Sequence, residues 1–275
     1  MTVRNVTLAV REIRSRQGLM TEASRLVPEE VPIAFSYGGS THAVMMATPA
    51  DLEDFAVGFS LAEGIIRDVR EIVEIESVEA GDGIDVQIVL ADQNAEALTS
   101  RRRRMAGPVG CGLCGIESIE QATRDVPAIA GNGFVLRPAQ IAEAMRALGE
   151  GQRLNRETRA VHAAGFYVPG QGVVAIREDV GRHNALDKLT GAVLIGGWLP
   201  AEGAVVVTSR LSVEMVQKTA ALGSSMLIAI SAPTALAIRT AEKAGMTLIG
   251  IARDDDFEIF TGSEKVIQGV FHDVS

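Results

Sequence analysis

Apolar and polar positions alternate at short range in the first ninety residues. Residues 31–35 and 43–47 are apolar runs around Tyr37-Gly38-Gly39-Ser40, the pattern of two strands and a hairpin turn. Thr48-Pro49 follows in the order of a helix cap and a first-turn proline. Leu52, Phe55, Phe59 and Ala62 then recur at helical spacing as far as Gly64, which can end the helix. Residues 72–78 and 84–90 read as two further strands joined through Gly81-Asp82-Gly83. Residues 94–103 have a helical pattern, and residues 1–30 an irregular or extended one. This half of the chain reads as α+β with antiparallel strand pairs.

After residue 138 the rhythm changes. A helix over 138–148 precedes apolar strands at 173–176, 204–208, 226–230 and 247–252, which alternate with helices starting near Asn184, Ser212 and Pro233. Such alternation predicts a largely parallel sheet with right-handed crossovers. The fold class is therefore α/β. A smaller N-terminal α+β domain (1–130) ends in a cysteine-bearing loop (107–115), and an α/β sheet domain spans 131–275.

Composition narrows the function. With 275 residues, 47% of them hydrophobic but only 4% aromatic, the core has to be aliphatic. Twenty-six basic against 35 acidic residues leave a formal charge of -9, which disfavours a general nucleic-acid binder. The run Arg101-Arg102-Arg103-Arg104 is a local exception. Arg and Glu interrupt the opening apolar stretch, and no later run reaches the length of a membrane span, so the expectation is a cytoplasmic protein with no membrane partner. Two cysteines exclude a disulfide scaffold and point to redox, metal or sulfur chemistry.

Both cysteines stand in the glycine-dense segment Gly110-Cys111-Gly112-Leu113-Cys114-Gly115. A zinc site would need two more ligands, and His42, His162, His183 and His272 form no close pair. A redox dithiol would sit between a strand and a helix, whereas Arg-rich and loop-like residues precede this pair. A sulfur relay needs an accessible cysteine biased toward thiolate, which surrounding glycines and arginines favour.

Three polar segments follow strands of the second half. They hold Asp179, Arg182, His183 and Asn184, then Ser209, Arg210 and Ser212, then Arg253, Asp254, Asp255 and Asp256. Strand ends on one edge of a parallel sheet, with helix N-termini beside them, suit an anionic, nucleotide-like ligand. Neither a Walker motif nor G-x-G-x-x-G is present, which disfavours the usual ATP and NAD modes.

Together these motifs resemble the FdhD family of sulfur carriers needed to mature formate dehydrogenase. The resemblance rests on TPADLEDFAVGFSLAEGII (48–66), CGLCG (111–115), VHAAG (161–165), REDVGRHNALDK (177–188), SRLSVEMVQK (209–218) and IGIARDDDFEIFTG (249–262). It implies a sulfurtransferase that takes persulfide sulfur from a cysteine desulfurase. The acceptor is the molybdenum (or tungsten) bis-guanine-dinucleotide cofactor of formate dehydrogenase. Cys111 is then the persulfide carrier, with Cys114 assisting, and Gly250, Ile251, Ala252, Arg253, Asp254 and Asp255 belong to the cofactor site. No permanently bound metal is implied, and a homodimer is. The second half would resemble the cytidine-deaminase fold without deamination, since His162-Ala163-Ala164 lacks the glutamate of H-x-E. Thr158-Arg159 departs from the family pattern, which has Thr-Gly there. The competing functions are a non-catalytic chaperone for the same cofactor and apo-enzyme, and a zinc-dependent protein.

Overall fold

A computed structural model describes residues 4–91, 126, 128–129 and 133–267. Strands β1 (Thr7–Arg16) and β2 (Leu19–Pro28) form a separate antiparallel hairpin. The sequence left this region irregular or extended. Most of its side chains are exposed on both faces, so no buried stripe marks the alternation.

The first core is built on a four-stranded sheet, ordered β4-β3-β6-β5, from β3 (Val31–Tyr37), β4 (Ser40–Ala47), β5 (Ile72–Ala80) and β6 (Gly83–Leu90). The two hairpins are antiparallel as their turns predict, but β3 and β6 join them in parallel. Helix α1 (Leu52–Ala62) covers one face. Its Phe59 stacks on Phe35 with ring centres 4.4 Å apart, and Phe55 meets the same ring edge-on at 4.9 Å.

The second core surrounds a six-stranded sheet, ordered β12-β11-β10-β9-β7-β8. Its strands are β7 (His162–Val168), β8 (Gly172–Asp179), β9 (Ala204–Val207), β10 (Met226–Ala229), β11 (Thr247–Arg253) and β12 (Asp256–Thr261). The expected parallel run is present in β9, β10 and β11. Hairpins at both ends make the whole sheet mixed: β7 runs antiparallel to β8 and β9, and β12 antiparallel to β11. The β7–β8 turn is cued by Pro169-Gly170-Gln171-Gly172, with Gly170 and Gly172 both in the left-handed region. Because β7 is reversed, β8 points the same way as β9.

Alternate residues of each central strand enter opposite layers. Val205, Val207, Leu227 and Leu248 pack with α4 (Arg182–Ile195), α5 (Val213–Leu222) and α6 (Ala235–Ala244). Val206, Met226, Ile228 and Ile249 pack with α2 (Pro138–Gly151) on the other face. A short helix α3 (Arg153–Thr158) links α2 to β7 and ends on Arg159, whose φ of 55° is left-handed, where the family pattern has glycine.

Helix α1 packs mainly on α4 and to a lesser extent on α5, so helices join the two cores. Glycines make the close approach possible. A Cβ added at Gly58 would lie 1.8 Å from the Asp187 carbonyl oxygen, and one at Gly191 would lie 2.0 Å from that of Asp54. Arg177 on β8 braces the same junction, its Nε donating to Asp54 at 2.6 Å.

Candidate functional site

Because β8, β9, β10 and β11 run in one direction, their carboxyl ends share an edge, and the start of the reversed β7 lies there too. This edge gathers His162, Asp179, Ser209, Ser231 and Arg253. Cross-strand pairing sets His162 opposite Asp179. The Ala163 N–H donates to Thr208 Oγ1 at 2.9 Å, holding the ends of β7 and β9 together. The loops after β9 and β10 are zipped by Leu211 N–H to the Ala232 carbonyl and Thr234 N–H to that of Leu211.

Helix α4 begins at this edge without a side-chain cap, on Gly181. A Cβ on that glycine would crowd the Asn184 amide at 2.7 Å. Arg182 and His183 form the first turn. Arg182 Nε and His183 Nε2 are buried and have no hydrogen-bond partner among the described residues, while the buried Ser212 hydroxyl at the start of α5 lies beside the Glu214 carboxylate. Buried polar atoms are nearly always paired, so the two unpaired nitrogens in the first turn of α4 could accept a ligand's hydrogen-bonding groups. Burial, with the added positive charges of Arg182 and Lys218, pushes His183 down to about 4. Burial and Arg182 also lower His162, against the pull of Asp179. Both imidazoles are thus biased toward the neutral form, beside the Arg182 guanidinium.

The β11 end is irregular. Pairing with β12 slips between Gly250 and Arg253, and Ile251 sits at φ 53°. A β-branched residue there is strained, and the bulge turns its side chain outward. Ile251 N–H donates to the Ser231 carbonyl, and Arg253 Nε reaches that of Ile230 at 3.4 Å. Asp254 and Asp255 form the exposed two-residue turn into β12. Arg210 is also exposed.

Not every residue expected here faces the edge. Asp179 is fully buried and spends its carboxylate on protein groups. Asn184 is 3% exposed and bonds Met46 and Asp179. These two hold the loop and do not project toward a ligand. Ala252 is buried in the α2-side core, and Gly250 is enclosed by Phe260, Ser231 and Pro233, so only their backbone could contribute. Ser209 is buried and donates to the Arg210 carbonyl. His162 was read from sequence only as a metal-ligand candidate within a family segment, and the structure adds it to the edge. Cys111, Cys114 and the arginine run lie outside the described residues.

A mixed α/β frame with a polar strand-end edge defines the class, and comparison with known proteins gives the family. The FdhD/NarQ family model matches residues 28–267, and the chain belongs to that family. The match leaves out β1 and nearly all of β2. The sulfur carrier protein FdhD of Agrobacterium fabrum is 64% identical over 252 residues, covering 92% of this chain and 93% of that protein. The protein of the same name from Brucella abortus is 53% identical over 268 residues, covering 98% and 100%. A crystal structure described as a formate dehydrogenase accessory protein from Desulfotalea psychrophila superposes with a TM-score of 0.77. It has 25% identity and covers 96% of this chain and all of that one. No described helix is long and apolar enough to cross a membrane.

Proposed function

We propose that this chain is a cytoplasmic sulfur carrier for formate dehydrogenase maturation. Cys111 takes sulfane sulfur from the persulfide of a cysteine desulfurase and delivers it to a molybdenum bis-guanine-dinucleotide cofactor held as substrate at the strand-end edge. The Cys111 thiolate attacks the terminal sulfur of the donor persulfide, and the donor cysteine leaves as thiolate. In this loading step the S–S bond made replaces the one broken, so loading Cys111 needs no external oxidant or reductant.

Membership of a family whose members at 64% and 53% identity are named sulfur carriers carries this reading. The edge supports it physically. Arg182, with Arg210 and Arg253 exposed along the same edge, suits an extended ligand carrying pyrophosphates. The unpartnered Arg182 Nε and His183 Nε2 suit a ligand that supplies hydrogen-bonding groups of its own. A homodimer belongs to the same reading, and light scattering on the purified chain tests it.

The test is peptide mass spectrometry of the full chain after incubation with a desulfurase and cysteine, without reductant. One added sulfur atom on the Cys111 peptide, removed by thiol, is expected. An unmodified peptide with an active desulfurase would leave cofactor chaperoning as the function. The same outcome follows if Cys111→Ala matures formate dehydrogenase normally.

A further inference from the structure

Lys188 belongs to none of the residues read above as touching a ligand, and it is among the most deeply buried side chains of the molecule. It is 0% exposed, lies in the second turn of α4, and its ammonium stands 5.4 Å from the centre of the Phe55 ring of α1. Nζ donates to Asp179 Oδ2 at 2.7 Å and to the Thr48 carbonyl at 2.8 Å. Asp179 Oδ2 also accepts the Thr48 N–H at 3.0 Å. Its Oδ1 accepts the Gly181 N–H at 2.8 Å and the Asn184 amide at 2.9 Å. That amide in turn donates to the Met46 carbonyl, and Thr48 Oγ1 accepts the Val180 N–H at 3.3 Å. The buried ion pair and Thr48 together tie the β4–α1 junction to Val180, Gly181 and Asn184, on both sides of Arg182 and His183.

This loop carries Arg182 and His183. Their buried Nε and Nε2 atoms lack partners among the described residues, so no described bond at those atoms fixes where the two side chains stand. Their placement comes from the backbone, and the backbone is held from beneath. We propose that Asp179 and Lys188 are positioning residues: their buried pair locks residues 180–184 against Thr48 and so sets Arg182 and His183 at the sheet edge. The arrangement also explains how the N-terminal sheet contributes to a site built on the C-terminal one. The inference rests on reading that edge as the acceptor site.

The test uses the full chain, with guanosine diphosphate as probe. Removing one partner alone would orphan a buried charge, so the informative variant is the double replacement Asp179→Leu with Lys188→Met. Titration calorimetry is run well below the thermal midpoint, where a purely structural defect leaves the dissociation constant unchanged. The expected result is a folded protein that binds at least about tenfold more weakly, an order of magnitude in keeping with the loss of positioned charge-assisted bonds. The His183 ring resonances should also be displaced. Wild-type affinity together with an unmoved His183 signal overturns the proposal.

Where the double variant does not fold, Asn184→Ala is read instead. It removes the amide bridging Asp179 and Met46 without burying a charge, and unchanged binding there overturns the proposal equally. Wild-type protein that does not bind the probe, or Arg182→Ala with no effect, removes the acceptor reading separately. The positioning role is then judged on the His183 signal alone, which must still move.

Discussion

Replacing Gly191 by alanine loads the contact that joins the two halves of the molecule. The new methyl would stand 2.0 Å from the Asp54 carbonyl oxygen and 2.6 Å from its carbon, whereas real Cβ contacts are essentially never under 3.0 Å. All the nearest atoms are backbone, so no side chain can swing away and the helices must part by roughly 1 Å. A gap of that size forfeits about a quarter to a half of the dispersion energy of the facing atoms. Overpacking costs about 1–3 kcal/mol, and the high end applies because neither helix can yield locally. Alanine's better helix propensity returns about 1 kcal/mol, which leaves a net loss near 2 kcal/mol. Gly149, on the solvent face of α2 with nothing within 4 Å of an added Cβ, is the internal control. There the same substitution should stabilise by about 0.5–1 kcal/mol. Urea unfolding of both variants and the wild type gives the comparison. Gly191→Ala as stable as wild type, or moving in the same direction as Gly149→Ala, would refute the close-packing argument.

Other consequences are equally direct. Lys218 Nζ donates to both oxygens of the buried Asp187 at 2.7 and 2.8 Å, so Lys218→Met should cost about 3–5 kcal/mol in denaturant unfolding. Adding Asp187→Asn should recover more than half of that loss, and no recovery would mean that the lysine acts by packing. Arg159→Gly should stabilise by about 0.5–1 kcal/mol, because a left-handed L-residue costs about 1–2 kcal/mol and glycine's extra chain entropy offsets only part of it. An unchanged or lower thermal midpoint would contradict this. His183 lies near 4 in the fold against its ordinary 6.5, so its neutral form adds stability above pH 6.5 that is lost as pH falls toward about 4. At about 1.4 kcal/mol per pH unit the ceiling is roughly 3 kcal/mol, and partial exposure reduces it to about 1–2. His183→Gln should flatten the stability profile across that window, and parallel profiles would refute the assignment. A bound anion raises the histidine again, so the affinity for guanosine diphosphate should rise as pH falls toward that range, which calorimetry at several pH values checks.

Local chemistry determined most of the elements. Glycine pairs and short apolar runs placed the β3–β4 and β5–β6 hairpins, and the Thr48-Pro49 start with Leu52, Phe55 and Phe59 placed α1. The ends of β8, β9 and β11 were legible as polar segments after apolar strands, so the edge holding Arg182, His183, Arg210 and Arg253 could be anticipated. The β1–β2 hairpin escaped because two exposed faces leave no alternation to read. The reversed β7 was obscured by its small residues, Ala163-Ala164-Gly165, which resemble a loop as much as a buried strand.

Which polar residues face a ligand was decided only by the tertiary structure. In REDVGRHNALDK, Asp179, Arg182, His183, Asn184 and Lys188 are equally polar letters, and a sequence reading treats them as one cluster. Folding separates them. Thr48, 131 residues before Asp179, gives its N–H to that carboxylate and its carbonyl to the Lys188 ammonium, while no described residue pairs with Arg182 Nε or His183 Nε2. Hydrogen-bond capacity left over after packing depends on long-range contacts, whereas strand and helix formation depends on neighbours a few residues apart. The sequence by itself therefore determined the elements and the chemistry on offer, and the packing of the β4–α1 junction at Thr48 against the start of α4 decided which groups remained free to use it.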